Sequence, residues 1–176
     1  MSSANTSSDS GWPDALYELL RAHGITQFAY VPDAGHKTLI NRSLEDPEVR
    51  SIALTTEEEG VAMLAGADLG GARGVLLMQS SGAGNCINFL SMIKAGRFPF
   101  LTLISMRGDF GEENPWQMPM GQALRTVLGA MGIICLDVES APQVAPTVEA
   151  ALRMTFQSGN AVAVLLTQKL IGAKAF

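Results

Sequence analysis

The chain has 176 residues, of which 47% are hydrophobic and only 16% charged; that is enough for one domain with a substantial core. The formal net charge is −5 and no basic run is present, so nucleic acid is not an expected partner. No apolar run reaches the roughly 18–20 residues of a membrane-spanning helix, and the polar start, residues 2–10, lacks the apolar segment of a signal peptide.

Residues 1–10 are expected to be a disordered tail, and residues 11–176 a single domain. Residues 13–23 read as an amphipathic helix with Ala15, Leu16, Leu19 and Leu20 on one face, ended by Gly24. Residues 27–31 are the first strand, 32–37 a loop at its carboxyl end, and a helix follows through Leu39, Ile40 and Leu44. Residues 49–54 and Glu57–Leu69 form the next strand and helix, and 70–74 a turn. Residues 75–78 are continuously apolar, the mark of a strand covered on both faces. Residues 79–85 are a Gly-rich loop leading to a helix through Ile93. A strand (98–104), a long polar loop (107–119), a helix (122–131) and a strand (132–136) come next. A helix from Ser140 or Ala141 to Phe156 and a last strand, Ala161–Leu166, complete the chain. This alternation, without an internal repeat, predicts a three-layer α/β/α sandwich around a doubly wound, mostly parallel sheet of about six strands.

Loops 32–37, 55–59, 79–85 and 107–119 then gather on the carboxyl rim of the sheet, where α/β proteins place ligands. The run Thr55-Thr56-Glu57-Glu58-Glu59 opens a helix with three carboxylates. Capping explains part of it. Thr55 or Thr56 can cap, Glu59 can complete a capping box with Thr56, and first-turn negative charge is favourable by about 0.3–1 kcal/mol. But a cap needs one glutamate, not three. Loop 79–85 opens a helix whose amides could receive an anion. It carries neither a Walker Gly-Lys-Ser/Thr nor a GxGxxG, and a tight strand-to-helix turn accounts for its glycines equally well. Asn85 and Asn88, polar at the start of an apolar helix, favour a functional rim. Cys86 and Cys135 lie in apolar surroundings without CxxC or nearby His spacing, and are expected as two buried free thiols in a cytoplasmic protein. His23 and His36 form no metal site. So low a charge content points to extensive contacts with other chains.

The run Glu57-x-x-Gly60-Val61-Ala62-x-x-Ala65-Gly66 resembles the pyrimidine-binding domain of thiamine-diphosphate-dependent decarboxylases. Three further segments are similar to the branch that decarboxylates 3-phosphonopyruvate and 3-sulfopyruvate. They are Val31-Pro32-Asp33 with Lys37, Met78-Gln79-Ser80-Ser81-Gly82-x-Gly84-Asn85-x-x-Asn88, and Met106-Arg107-Gly108 with Gln117-x-Pro119-Met120-Gly121. Taken in order, the four cover nearly the whole folded chain, and they most resemble the α subunits of sulfopyruvate decarboxylases.

In that family one glutamate hydrogen-bonds a ring nitrogen of the cofactor's aminopyrimidine. The spacing to Gly66 puts this role on Glu57 and leaves Glu58 and Glu59 as first-turn charges. The activated cofactor attacks the keto carbon of a 2-oxo acid and takes up the electrons as carbon dioxide leaves. The resemblance also implies that Gln79, Ser80, Ser81 and Gly82 line the pyrimidine, and that Lys37 and Arg107, with His36, hold the anionic tail of a small 2-oxo acid. For Lys37 and Arg107 the plain alternative is a solvated surface charge. Gln117 stands where phosphonopyruvate decarboxylases carry His, which leans away from phosphonopyruvate, and Ala34 stands where Ser is usual after Pro-Asp, a second departure that bears on substrate identity.

No Gly-Asp-Gly motif is present for the Mg2+ that holds the diphosphate, so the resemblance implies half of an enzyme. The expected whole is a cytoplasmic hetero-oligomer in which a β subunit carries the diphosphate- and Mg2+-binding domain, converting 3-sulfopyruvate to sulfoacetaldehyde and carbon dioxide. The alternatives are a subunit of a phosphonopyruvate or other 2-oxo-acid decarboxylase or carboligase, and a non-catalytic, flavodoxin-like nucleotide-binding module.

Overall fold

The computed structural model describes residues 11–173; the expected tail, residues 1–10, lies outside the described residues. Six strands, β1 (Ile25–Tyr30), β2 (Arg50–Ala53), β3 (Arg73–Gln79), β4 (Phe100–Ser105), β5 (Ile134–Val138) and β6 (Ala161–Leu166), form one sheet in the order β2-β1-β3-β4-β6-β5. Each pairing is parallel, so the sheet is wholly parallel rather than mostly so. The chain winds from β1 outward to β2 and then returns past β1 to β3. That reversal makes a switch point at the carboxyl ends of β1 and β3, the usual place for a ligand in such a sheet.

The side-chain alternation of the strands builds a core on each face. Val75 and Leu77 of β3 join the cluster packed by α1 (Trp12–Ala22), α2 (Lys37–Glu45) and α7 (Ala141–Phe156), through Leu16, Leu39 and Val148 among others. Leu76 and Met78 face the other way, toward Val61 of α3 (Glu57–Leu69), Leu90 of α5 (Leu90–Gly96) and Leu124 of α6 (Met118–Ala130). All four β3 side chains are fully buried. Burying a side chain of this size stabilises by about 1.5–3 kcal/mol, which is why the central strands carry no polar face.

Several local expectations need correction. The Gly-rich stretch after β3 is not a loop but a short helix, α4 (Ser80–Asn85), separated from α5 by residues 86–89. Its Ser and Gly residues show no apolar periodicity, and the helix is held by tertiary bonds: the Ser80 hydroxyl accepts from the Arg107 amide at 3.0 Å. α6 begins at Met118, earlier than the expected residue 122, because Pro119 is suited to a first turn. Before it, Asn114 accepts from the Trp116 amide at 3.0 Å and opens a 3₁₀ turn, Pro115–Gln117. A short helix α8 (Gln168–Ile171) follows β6 and is too brief for any periodicity to announce. Thr56 is the N-cap of α3 but its side chain caps nothing; Glu59 instead accepts from the Thr55 amide at 2.9 Å. Both cysteines are free, but only Cys86 is fully buried; Cys135, on the edge strand β5, is half-buried. No helix among the described residues is long and apolar enough to cross a membrane.

Candidate functional site

Glu57 starts α3 directly after the β2 end, which sets it on the carboxyl rim, yet it is only 8% exposed. Burial of a carboxylate demands a partner. Asn85, the last residue of α4, donates its amide Nδ2 to Glu57 Oε2 at 2.9 Å. Oε1 has no hydrogen-bond partner among the described residues. It lies against Gly82 so closely that a Cβ there would stand 2.1 Å from Oε1 and 2.4 Å from Cδ. Only glycine lets α4 rest on the carboxylate in this way.

A cleft of about 890 Å3 opens here, lined by Glu57, Ser81, Gly82 and Asn85 and, from the segment leading into α6, by Asn114, Pro115, Trp116, Pro119 and Met120. That volume falls in the range of small-molecule and cofactor sites. Glu57 is the one ionisable side chain in the lining. A carboxylate oxygen left open in such a wall can accept a hydrogen bond from a nitrogen heterocycle, or share a proton with one. The same wall has no cation with which to hold phosphate. The residues present therefore fit the aminopyrimidine end of thiamine diphosphate and do not fit its diphosphate end.

The segment that covers the cleft is clamped from behind. Arg107 donates Nε and Nη2 to the two oxygens of Glu112 at 2.5 and 2.6 Å. The Glu112 side chain is completely buried and that of Arg107 only 12% exposed. Glu112 also accepts from Gln168 Nε2 at 2.9 Å, the Asn114 amide at 3.1 Å and the Gly108 amide at 3.3 Å. The guanidinium hydrogen bonds pull the Glu112 carboxyl down to about 2. Gln168 Oε1 accepts from the Asp109 and Phe110 amides, both at 3.1 Å. On the α6 side the backbones touch directly: a Cβ at Gly121 would stand 2.0 Å from the Arg107 carbonyl oxygen.

The structure brings together some of the expected site residues and separates others. Glu57, Ser81 and Gly82 share the cleft. Gln79 and Ser80 stand one step behind it. Gln79 accepts from the Ser81 hydroxyl at 2.7 Å and approaches Asp33 Oδ1 at 3.4 Å. Ser80 is fully buried and bridges α4 to the Arg107 backbone, donating to its carbonyl at 3.2 Å. Lys37, exposed at the start of α2, lines a separate hollow with Pro32, Asp33 and Asn41. It has no salt bridge among the described residues. Arg107 borders another small cavity with Asp33 and Ser105. His36 is 1% exposed, with Nε2 3.2 Å from the Met78 carbonyl; burial pushes its pKa down and keeps the ring neutral.

Glu112, Asn114 and Trp116 were given no site role from the sequence, and Met120 stood there only within the Gln117-x-Pro119-Met120-Gly121 motif. The nearest signals were an acid five residues after Arg107 and an Asn-Pro step, which favours a turn. Among the described residues no group of three or more His, Cys, Asp or Glu side chains converges as a metal site would require.

Fold and site together define a class: a doubly wound α/β domain that presents one buried glutamate, the first residue of a helix, to a cleft with no cation at the carboxyl edge of the sheet. No family model matches the chain. It is 34% identical over 154 residues to sulfopyruvate decarboxylase subunit alpha of Methanococcus maripaludis, a match spanning 87% of this chain and 92% of that one. The chain belongs to the family of sulfopyruvate decarboxylase α subunits. It is also 40% identical over 117 residues to phosphonopyruvate decarboxylase of Streptomyces viridochromogenes, covering 66% of this chain but only 28% of that longer protein. Among solved structures, a 2-oxoglutarate:ferredoxin oxidoreductase from Magnetococcus marinus aligns with a TM-score of 0.74 over 91% of this chain and 29% of that one. At 18% identity that likeness shows the fold alone.

Proposed function

We propose that this chain is the pyrimidine-binding half of a heteromeric, thiamine-diphosphate-dependent 2-oxo-acid decarboxylase, and that the assembled enzyme converts 3-sulfopyruvate to sulfoacetaldehyde and carbon dioxide. The observation that carries this reading is the Glu57 carboxylate, buried and held through Oε2, with Oε1 unpartnered among the described residues and no cation among the residues that line its cleft. Family membership supports the substrate. Gln117, where phosphonopyruvate decarboxylases carry His, supports sulfonate over phosphonate.

Bound thiamine diphosphate supplies the nucleophilic carbon and the electron sink that loss of carbon dioxide from a 2-oxo acid needs. This chain's residues do the rest of the work at the pyrimidine. Glu57 would share a proton with a ring nitrogen, Ser81 and Gly82 would line the ring, and Pro115, Trp116, Pro119 and Met120 would give it a largely apolar wall. Gln79 orients Ser81, and Ser80 ties α4 to the covering segment. The diphosphate and Mg2+ then belong to a β subunit. The missing cations of the cleft support that division, as does the match to only 28% of the longer phosphonopyruvate decarboxylase. For the anionic tail of the substrate, Lys37 is the rim cation without a salt bridge among the described residues. Arg107, doubly bonded to Glu112, serves first as the clamp of the covering segment. His36 acts as a neutral interior residue.

A non-catalytic nucleotide-binding module is not favoured, because the single charge in the cleft repels a phosphate. The test is calorimetry with thiamine diphosphate and Mg2+, first on the isolated chain and then on the chain with its partner subunit. Weak binding by the chain alone and tight, Mg2+-dependent binding by the pair is expected. Tight Mg2+-dependent binding by the isolated chain would sink the half-site reading.

A further inference from the structure

The two oxygens of Glu57 are not equivalent. A free carboxylate can turn about its last torsion and exchange one oxygen for the other. Here one oxygen is held and the other is closely packed. Asn85 Nδ2 fastens Oε2 at 2.9 Å. Gly82 packs against Oε1, since an added Cβ there would stand only 2.1 Å from that atom. Asn85 itself lines the same cleft and closes α4, whose start is pinned by Ser80 to the Arg107 backbone. An amide does not titrate, so it grips the carboxylate in the same way across the working pH range.

We propose that Asn85 is a positioning residue that divides the labour of the Glu57 carboxylate: it ties down Oε2, and so makes Oε1 the oxygen that exchanges a proton with the ring nitrogen of the cofactor. The inference rests on the pyrimidine-binding reading above. It adds a residue that acts through the Glu57 carboxylate. A donor on Oε2 keeps the proton off that atom, and a carboxylate held through one oxygen keeps the other in one place. Without Asn85 the proton divides between two oxygens, and only one of them faces the ring.

The test uses the assembled enzyme, this chain with its partner subunit, in three forms: wild type, Asn85→Leu and Asn85→Asp. Asn85→Leu keeps the bulk and removes the donor. The expected result is a roughly ten- to hundredfold loss in kcat and in thiamine diphosphate affinity, the scale of a hydrogen bond to a charged group, with little change in KM for 3-sulfopyruvate. Asn85→Asp separates positioning from folding. It sets a second carboxyl beside Glu57, and two such groups in contact share one proton. When that proton is present it restores a donor to Oε2; when it is absent two negative charges repel.

Both kcat and calorimetric cofactor affinity of Asn85→Asp are therefore expected to recover toward wild type as pH falls from 8 to 6, while Asn85→Leu shows no such recovery. A wild-type pH dependence for Asn85→Asp overturns the proposal, and so does an Asn85→Leu enzyme within twofold of wild type. If Asn85→Leu fails to fold, the nearly isosteric Asn85→Asp series decides alone. A wild-type complex that does not bind thiamine diphosphate refutes the functional reading itself. Normal wild-type binding with an unresponsive Asn85→Asp refutes only the role of Asn85.

Discussion

Arg107→Ala is the substitution that most sharply separates a clamp from a substrate contact. It removes the only cation bonded, among the described residues, to Glu112, whose side chain is fully buried. Stripping one partner from a buried ion pair costs roughly 3–5 kcal/mol. The donors left on Glu112 (Gln168 Nε2 and the Asn114 and Gly108 amides) soften that cost. We expect about 3 kcal/mol of lost stability, measured by urea unfolding of the purified chain followed by circular dichroism. In a double-mutant cycle with Glu112→Gln the two changes should be strongly non-additive, with a coupling of about 2 kcal/mol.

The pH dependence has a definite sign. The Glu112 carboxyl is depressed from 4.5 to about 2 in the folded chain. Its contribution is therefore fully present above the unfolded value and is lost as pH falls toward the folded one. Arg107→Ala should accordingly flatten the fall in stability between pH 4.5 and 2. In the assembled enzyme a clamp lowers kcat/KM for 3-sulfopyruvate and for pyruvate by the same factor. Stability within about 0.5 kcal/mol of wild type, the scale of an ordinary surface substitution, combined with a loss confined to 3-sulfopyruvate, would refute the clamp and return Arg107 to the substrate.

Lys37→Ala should behave in the opposite way. Exposed and without a salt bridge among the described residues, Lys37 should leave Tm unchanged, while kcat/KM for 3-sulfopyruvate falls about ten- to hundredfold, as for one charged hydrogen bond, and that for pyruvate does not. Equal losses on both substrates would remove Lys37 from the tail site. Gly82→Ala puts a Cβ 2.1 Å from Glu57 Oε1, whereas Gly84→Ala meets only the flexible Met120 side chain at 3.3 Å. Calorimetry on the assembled enzyme should show cofactor affinity lost in the first and largely kept in the second; equal affinities would mean that the carboxylate moves freely.

The elements with strong patterns were legible from the residues. α3 runs over Glu57–Leu69 and β6 over Ala161–Leu166, both as expected, because one has a charged first turn before a small apolar run and the other is continuously apolar. The resemblance singled out Glu57 because the pattern from Glu57 to Gly66 lies within a single helix, and the structure sets that residue in one cleft with Ser81 and Gly82. α4 was hidden, since Ser80 to Asn85 has no apolar stripe and its helix depends on bonds to residues far along the chain. The partner of Arg107 was hidden as well. Glu112 lies in an irregular segment, and nothing in spacing alone tells a buried clamp from a solvated charge. His36 could not be told from a rim histidine until its ring was seen against the Met78 carbonyl in the interior.

The central claim is that Glu57, and not either neighbouring carboxylate, works on the cofactor. The direct measurement is kcat for decarboxylation of 3-sulfopyruvate by the assembled enzyme with saturating thiamine diphosphate, for wild type, Glu57→Gln and Glu58→Gln, with Tm as the check on folding. Glu57→Gln keeps the shape and loses the exchangeable acid, so kcat should fall about 10²–10⁴-fold, the scale of a lost acid–base group, with Tm nearly unchanged. Glu58→Gln should remain within about a factor of two, since its charge contributes at most a first-turn effect. A Glu57→Gln enzyme as fast as wild type, or a dead Glu58→Gln beside an active Glu57→Gln, would contradict the account.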